Sequence, residues 1–191
     1  QMLSGLMARA GINRETEVLG LFQQGIADDG PAEAGWGRRR QGLIPDIMCR
    51  REGQRTLMDV KCITVCPSHF GPAKMRQALQ CEAVARKGRA VDADYRAKAR
   101  RFDAGHNATP VGATGPVEAR LREFGRVWGL AFGPHGEVSP DVKALVALCA
   151  AGAAARECAE FGERVPTDEI VARIRTQMRR LVGVFAVRTH A

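Results

Sequence analysis

Hydrophobic residues recur at helical spacing near the start of the chain and predict a helix over residues 2–24. Gly11 interrupts this pattern, so we expect it to break or cap the helix, with Asn13 as the cap of a second helical segment. Residues 25–42 are rich in glycine and charge, which is typical of a loop. The first part of the protein is therefore expected to be helical and to end in a long connection.

Two short strands are predicted after this loop. They cover residues 43–49 and 56–65, and the intervening residues 50–54 are typical of a hairpin turn. Side chains alternate between two faces along the second strand, so Asp59 and Lys61 are expected to share one face. The two strands are expected to pair as a hairpin.

The rest of the chain predicts helices and one more strand. Residues 73–102 predict a long helix with a break near Gly88, and Ser139 followed by Pro140 predicts a helix start. The remaining predicted elements are a helix over 117–124, a strand over 126–132, an apolar helix body over 142–155 and a last helix over 167–182. This order predicts an α/β fold, a small mixed β-sheet flanked by helices with a C-terminal helical extension.

The net charge of the chain indicates what kind of partner it binds. Its 29 lysines and arginines outnumber its 21 acidic residues, and the net charge of +8 favours nucleic acid. The sequence has no apolar run of about 18 residues, so we expect no membrane partner. The chain starts with Gln1, and we expect it to be a fragment of a larger polypeptide. Whether it forms a homodimer stays open.

The six cysteines lie mostly in apolar stretches, as buried free thiols do. This distribution predicts a reducing, intracellular environment rather than a disulfide framework. Cys62, Cys66, His69 and Cys81 match no familiar spacing of zinc ligands, so we do not expect a zinc site.

Two carboxylates and a lysine form the strongest chemical pattern in the sequence. Asp46 follows Pro45 on the first strand, and Asp59 and Lys61 lie on the second. Paired strands lie within about 5 Å, so Asp46 is expected to meet Asp59 across the hairpin. Carboxylates that converge in apolar surroundings repel each other, and Mg²⁺ or Mn²⁺ relieves that repulsion. The alternative is an ordinary ion pair between an aspartate and Lys61.

The segments Ile44-Pro45-Asp46-Ile47 and Leu57-Met58-Asp59-Val60-Lys61 resemble the core motif of the PD-(D/E)xK nuclease superfamily. That superfamily includes restriction enzymes, Holliday-junction resolvases and the endonuclease domains of some retroelements. The resemblance implies a restriction-endonuclease-like core over residues 1–135, with the helices of 136–191 packed on it as one domain. It also implies a nuclear location if the chain comes from a eukaryotic mobile element.

The activity that this resemblance implies is hydrolysis of DNA phosphodiester bonds with Mg²⁺ or Mn²⁺. Asp46 and Asp59 would be the metal ligands and Lys61 the third catalytic residue. Glu15, in Gly11-Ile12-Asn13-Arg14-Glu15, resembles the extra acid on the first helix of resolvase-like members, and Glu17 competes for this role. The chain departs from the RecB-like branch, because no correctly spaced Gln-x-x-x-Tyr follows the core motif.

Basic residues on both sides of the motif are expected to hold DNA phosphates. The stretch 83–102, with Lys87, Tyr95 and Lys98, is similar to the basic helix of retroelement endonuclease domains. The predicted contact residues are Arg38, Arg39, Arg40, Arg86, Lys87, Arg89, Arg96 and Lys98.

Two other functions stay open at this point. One is a catalytically inactive nucleic-acid-binding module with the same fold. The other is an assembly domain, in which the apolar helix over 142–155 is an interface between subunits.

Overall fold

The computed structural model describes residues 2–16, 21–22, 43–51, 53–63, 77–162 and 168–188. Its strands are β1 (Asn13–Thr16), β2 (Ile47–Arg51), β3 (Gln54–Cys62) and β4 (Trp128–Phe132). Its helices are α1 (Met2–Arg9), α2 (Gln77–His106), α3 (Pro116–Arg122), α4 (Pro140–Glu160) and α5 (Asp168–Arg188). None of these five helices has the length and apolar character needed to span a membrane.

The four strands form one mixed sheet in the order β1-β2-β3-β4. β2 and β3 are antiparallel, paired from Ile47 opposite Met58 to Arg51 opposite Gln54. The turn between them contains Gly53 at a φ of 80°, a left-handed conformation that costs glycine no Cβ strain. The structure therefore confirms the predicted α/β class and the predicted hairpin.

Gly11 ends α1, as the sequence predicted. Its φ of 70° allows a Schellman motif, in which the N–H of Ile12 donates to the carbonyl of Met7 at 2.9 Å. The prediction that a helix resumes at Asn13 is wrong, because Asn13–Thr16 form β1. Pairing with a distant strand decides the conformation of this segment, and local hydrophobic spacing does not report that pairing.

The predicted break near Gly88 is also wrong, since α2 runs through it. Gly88 instead allows the backbone of α2 to approach Gly129 and Ser139 closely. A Cβ on Gly129 of β4 would lie 2.1 Å from the Gly88 carbonyl oxygen, and a Cβ on Gly88 would lie 2.6 Å from the Ser139 Cβ. The Ser139 hydroxyl donates to the Gly129 carbonyl at 2.6 Å, while its oxygen caps α4, as predicted, by accepting from the N–H of Val142 at 3.4 Å.

The described residues group into two compact units, each assembled from separate parts of the chain. The hairpin unit comprises Glu15–Asp59 and Ala90–Trp128. Its apolar core draws on the hairpin, α2 and α3, and contains Phe22, Leu43, Met48, Leu57, Val91, Tyr95, Ala99, Val117, Leu121, Phe124 and Val127.

The C-terminal unit comprises Gln1–Arg14, Val60–Arg89 and Gly129–Ala191. Within it, α1, α4 and α5 pack against one another. An apolar helix body such as that of α4 is expected to be buried almost all round, and this expectation is wrong, because Lys143, Ala144, Ala147 and Ala151 are exposed. Small alanines on the exposed face explain how a mostly apolar sequence tolerates water there.

Asp103, near the end of α2, fixes the start of α3 within the hairpin unit. Its two carboxylate oxygens accept hydrogen bonds from the N–H groups of Val117 at 3.0 Å and Glu118 at 2.8 Å. Asp103 is 1% exposed, so these bonds form away from water. This remote cap holds α3 beside the hairpin unit's core.

Gly88→Ala is expected to destabilise the protein by about 3 kcal/mol, because the new methyl group meets Ser139 and the Gly129 backbone, which cannot easily move. The measurement is the free energy of unfolding in urea. Gly105→Ala in the same helix is the control, because a Cβ there meets nothing within 4 Å. Similar unfolding free energies for the two variants would contradict the close packing at Gly88.

Candidate functional site

The register of the hairpin sets the two predicted carboxylates opposite each other. Ile47 pairs with Met58 at the start of β2, and continuing this register by one residue brings Asp46 opposite Asp59. Directly opposed residues have Cβ atoms about 5 Å apart and project from the same face of the sheet. Asp59 is 4% exposed and Asp46 is half-buried. Two carboxylates therefore converge where little water reaches one of them.

Tyr95 of α2 holds this end of the hairpin. Its hydroxyl lies 3.0 Å from Oδ1 of Asp59 and 3.1 Å from the carbonyl oxygen of Ile44. A phenol has one proton, so the two acceptors share a single donor. One side chain thereby ties α2 both to β3 and to the segment that leads into β2.

Sequence reasoning did not find this contact. It placed Tyr95 in the basic helix, whereas the hydroxyl reaches an acid 36 residues away. The signal was a single polar group on an otherwise apolar stripe, because a buried tyrosine hydroxyl usually has a hydrogen-bond partner.

The surroundings of Tyr95 raise the pKa of its phenol well above the ordinary value of 10.0. Burial is the largest cause, since it disfavours the phenolate. The charge of Asp59 and its hydrogen bond add to the effect, and the charge of Asp46 contributes as well. Tyr95 is therefore a neutral hydrogen-bond donor throughout the physiological pH range, and both carboxylates are close enough to influence it.

Lys61 lies on β3, next but one to Asp59. Alternation along a strand gives these two residues the same face. Lys61 is half-buried and belongs to the C-terminal unit, whereas Asp46, Asp59 and Tyr95 belong to the hairpin unit. What relates Lys61 to Asp59 is therefore the alternation along β3 alone.

Of the two predicted accessory acids, the structure describes Glu15. Glu15 lies on β1 rather than on a helix, and its carboxylate is 3.4 Å from the guanidinium of Arg50. Both side chains are about half exposed, at 53% and 51%, so this ion pair is weak. Glu17 lies outside the described residues, as do Arg38, Arg39 and Arg40.

The predicted DNA-contacting residues of α2 differ in their availability. Arg86, Lys87, Arg89 and Lys98 are exposed. Arg96 is instead engaged in structure, because it bonds to Asp92 at 2.9 Å and to the carbonyl of Gly125 at 3.1 Å. These bonds tie α2 to the turn before β4, so Arg96 is the weakest member of the predicted set.

Among the described residues, no third acidic, histidine or cysteine side chain joins this pair as a possible metal ligand. Within those ranges, no group of three or more His, Cys, Asp or Glu residues lies close enough to hold an ion. Cys62 and Cys81 are exposed free thiols, while Cys66 and His69 lie outside the described residues. Asp46 and Asp59 fit a hard cation that keeps several of its waters, as Mg²⁺ does when one or two carboxylates bind it.

No protein-family model, no curated protein and no solved structure matches this chain. A function for it must therefore be argued from the side chains themselves.

Tyr95 is the chain's single tyrosine, so phenolate absorbance in the near ultraviolet reports on this site alone. A raised pKa means that the folded state binds the phenolic proton more tightly than the unfolded state does. Its contribution to stability is thus complete below pH 10 and is lost as the pH rises further. We expect phenolate to appear only together with unfolding, followed by circular dichroism. Ionisation near pH 10 in a protein that stays folded would contradict the buried hydrogen bond.

Proposed function

We propose that the protein is a metal-dependent endonuclease that hydrolyses DNA phosphodiester bonds, built on a restriction-endonuclease-like core of the PD-(D/E)xK type. The observation that carries the proposal is the approach of two carboxylates to Tyr95 at the open end of the β2–β3 hairpin, where Asp46 lies one residue beyond the last strand pair and both acids act on the phenol. Asp59 is buried and Tyr95 holds it in place. A role within a mobile element or a resolvase or repair enzyme belongs to the same proposal.

The carboxylate pair is costly for stability alone. Burial removes hydration from Asp59, and the opposed Asp46 adds repulsion between like charges. Tyr95 donates one hydrogen bond, shared with the carbonyl of Ile44, so it offsets this cost in part. Such pairs persist in proteins where a cation or a reaction uses them, and this favours a functional site over a structural one.

Asp46 and Asp59 are the residues that would hold Mg²⁺ or Mn²⁺. Either ion, when bound there, supplies a Lewis acid and lowers the pKa of a bound water. Lys61, on the same face of β3 as Asp59, would stabilise negative charge on the reacting phosphate. Tyr95 would act as a positioning residue, because it fixes the orientation of Asp59 and the backbone just before Asp46.

DNA as the substrate is supported by charge. The chain carries a net charge of +8, and Arg86, Lys87, Arg89 and Lys98 are exposed on α2. Exposed cations of this kind bind backbone phosphates without regard to base sequence. Arg38, Arg39 and Arg40 stay in the proposal as contacts predicted from the sequence.

One observation favours the second candidate, a nucleic-acid-binding module without catalysis. Glu15, proposed as the additional acid, is paired with Arg50 instead of joining the two aspartates. Two carboxylates are a small ligand set for a catalytic metal, so activity must be measured directly.

Asp59→Asn is expected to lower metal-dependent nicking of supercoiled plasmid at least about a hundredfold. Asparagine keeps the size of the side chain and an acceptor for the Tyr95 hydroxyl, but it removes the charge that attracts the cation. Rates in Mg²⁺, Mn²⁺ and EDTA measure the effect. Asp168→Asn is the matched control, because Asp168 is exposed at the start of α5 and belongs to the C-terminal unit. Equal rates for the Asp59 variant and the wild type would remove the proposal.

Tyr95→Phe tests the positioning role separately. Loss of the hydroxyl removes one of the contacts that orient the Asp59 side chain, which weakens metal binding more than it alters the chemical step. We expect the Mg²⁺ concentration for half-maximal cleavage to rise about tenfold, while the rate at saturating Mg²⁺ falls less. An unchanged Mg²⁺ dependence would mean that Tyr95 serves the fold alone.

A further inference from the structure

The far end of the hairpin carries an unfavourable arrangement of charge. Arg50 of β2 lies directly opposite Arg55 of β3. Like charges opposed across a strand pair destabilise it. Glu15 offsets the charge of Arg50, whereas the Arg55 side chain is exposed and makes no hydrogen bond or ion pair with the described part of the chain. The fold alone gives no reason to keep a cation at Arg55.

A groove of about 530 Å³ opens beside Arg55, between the hairpin turn and the end of α3. The hairpin side and the α3 side both belong to the hairpin unit. Three arginines and one glutamate line it, which leaves an excess of two positive charges. The lining residues are Gly53, Gln54, Arg55, Thr56, Arg120, Arg122, Glu123, Phe124 and Gly125.

The two arginines on the α3 side are held in place by their neighbours. Arg120 forms an ion pair with Glu123, and its guanidinium lies 5.2 Å from the centre of the Phe124 ring. Its Nε is buried and has no hydrogen-bond partner among the residues that the structure describes. Arg122 bonds to Glu118 at 3.0 Å while its side chain stays 54% exposed. Guanidinium groups fixed in this way lose little conformational entropy when they bind an anion.

We propose that this groove binds the backbone phosphates of duplex DNA. Planar guanidinium groups match the geometry of phosphate, and three of them line one polar groove. An acidic protein is a poorer fit, because protein interfaces depend on apolar anchors and Phe124, the large apolar residue here, is only 7% exposed.

The groove lies within reach of DNA bound at the carboxylate pair. Asp59 lies four residue steps along β3 from Arg55, a distance of about 14 Å along an extended strand. One helical turn of duplex DNA is about 34 Å long, so a single duplex can span both places. The location of the cut phosphate rests on the proposed function, whereas the binding of phosphate in the groove does not.

The test measures the affinity of a duplex about two helical turns long across a series of salt concentrations. All proteins carry Asp59→Asn, so that the DNA stays intact. Arg55→Gln is expected to weaken binding and to reduce the slope of log K against log salt by about one unit, because one phosphate contact is lost. Arg55→Lys should restore most of the slope. Lys143→Gln removes one charge from an exposed position of α4 and should leave the slope unchanged.

Thermal unfolding separates binding from folding. Arg55→Gln should melt at the same temperature as its parent or higher, because the repulsion with Arg50 is removed. Binding is measured on DNA and on a duplex RNA of the same sequence. If Arg55→Gln has the same affinity and slope as its parent on both duplexes, the proposed phosphate binding in the groove is wrong. A smaller slope on either duplex supports it and identifies which backbone it accepts.

Failure of the groove and failure of the nuclease give different results. If the wild type never cuts plasmid and Arg55→Gln has a smaller slope, the nuclease proposal is wrong and the proposed DNA binding in the groove is supported. If the wild type cuts plasmid in a metal-dependent way and the slope of Arg55→Gln is unchanged, only the proposed DNA binding in the groove is wrong.

Discussion

The antiparallel register of β2 against β3 is the constraint on which the other features depend. It assigns three alternate pairs to one face of the sheet: Asp46 with Asp59, one residue beyond the paired strands, then Met48 with Leu57 and Arg50 with Arg55 within them. The first pair supplies the carboxylates, the second belongs to the apolar core, and the third supplies the opposed cations. A slip of one residue would turn β3 over and separate all three pairs. Burial of Leu57 at 0% exposure is the term that opposes such a slip.

Tyr95 connects this register to the helix that covers it. Its ring belongs to the same core as Met48 and Leu57, while its hydroxyl reaches Asp59. Packing of the ring thereby determines where the hydrogen-bond donor stands. The same residue stabilises the fold and arranges the candidate site, so a variant that removes only its hydroxyl separates the two roles.

Close backbone packing in the C-terminal unit depends on the contact of Gly88 with Gly129. Two glycines let a helix backbone approach a strand more closely than any side chain allows, and Ser139 bonds across the same place. The local pattern suggested that Gly88 would interrupt α2, because glycine has a low helix propensity. Tertiary packing outweighs that propensity, and the helix continues to His106.

The sequence by itself determined those features that depend on residues close together in the chain. The alternation that gives Asp59 and Lys61 one face, the hairpin around Gly53 and the Ser139 cap of α4 each involve residues close together in the chain. The tertiary structure alone decided that Asn13–Thr16 form a strand and that Tyr95 meets Asp59. It also decided that Arg55 and α3 share a groove. Those contacts join residues far apart in the chain, and they form only when burial of a common core brings the segments together.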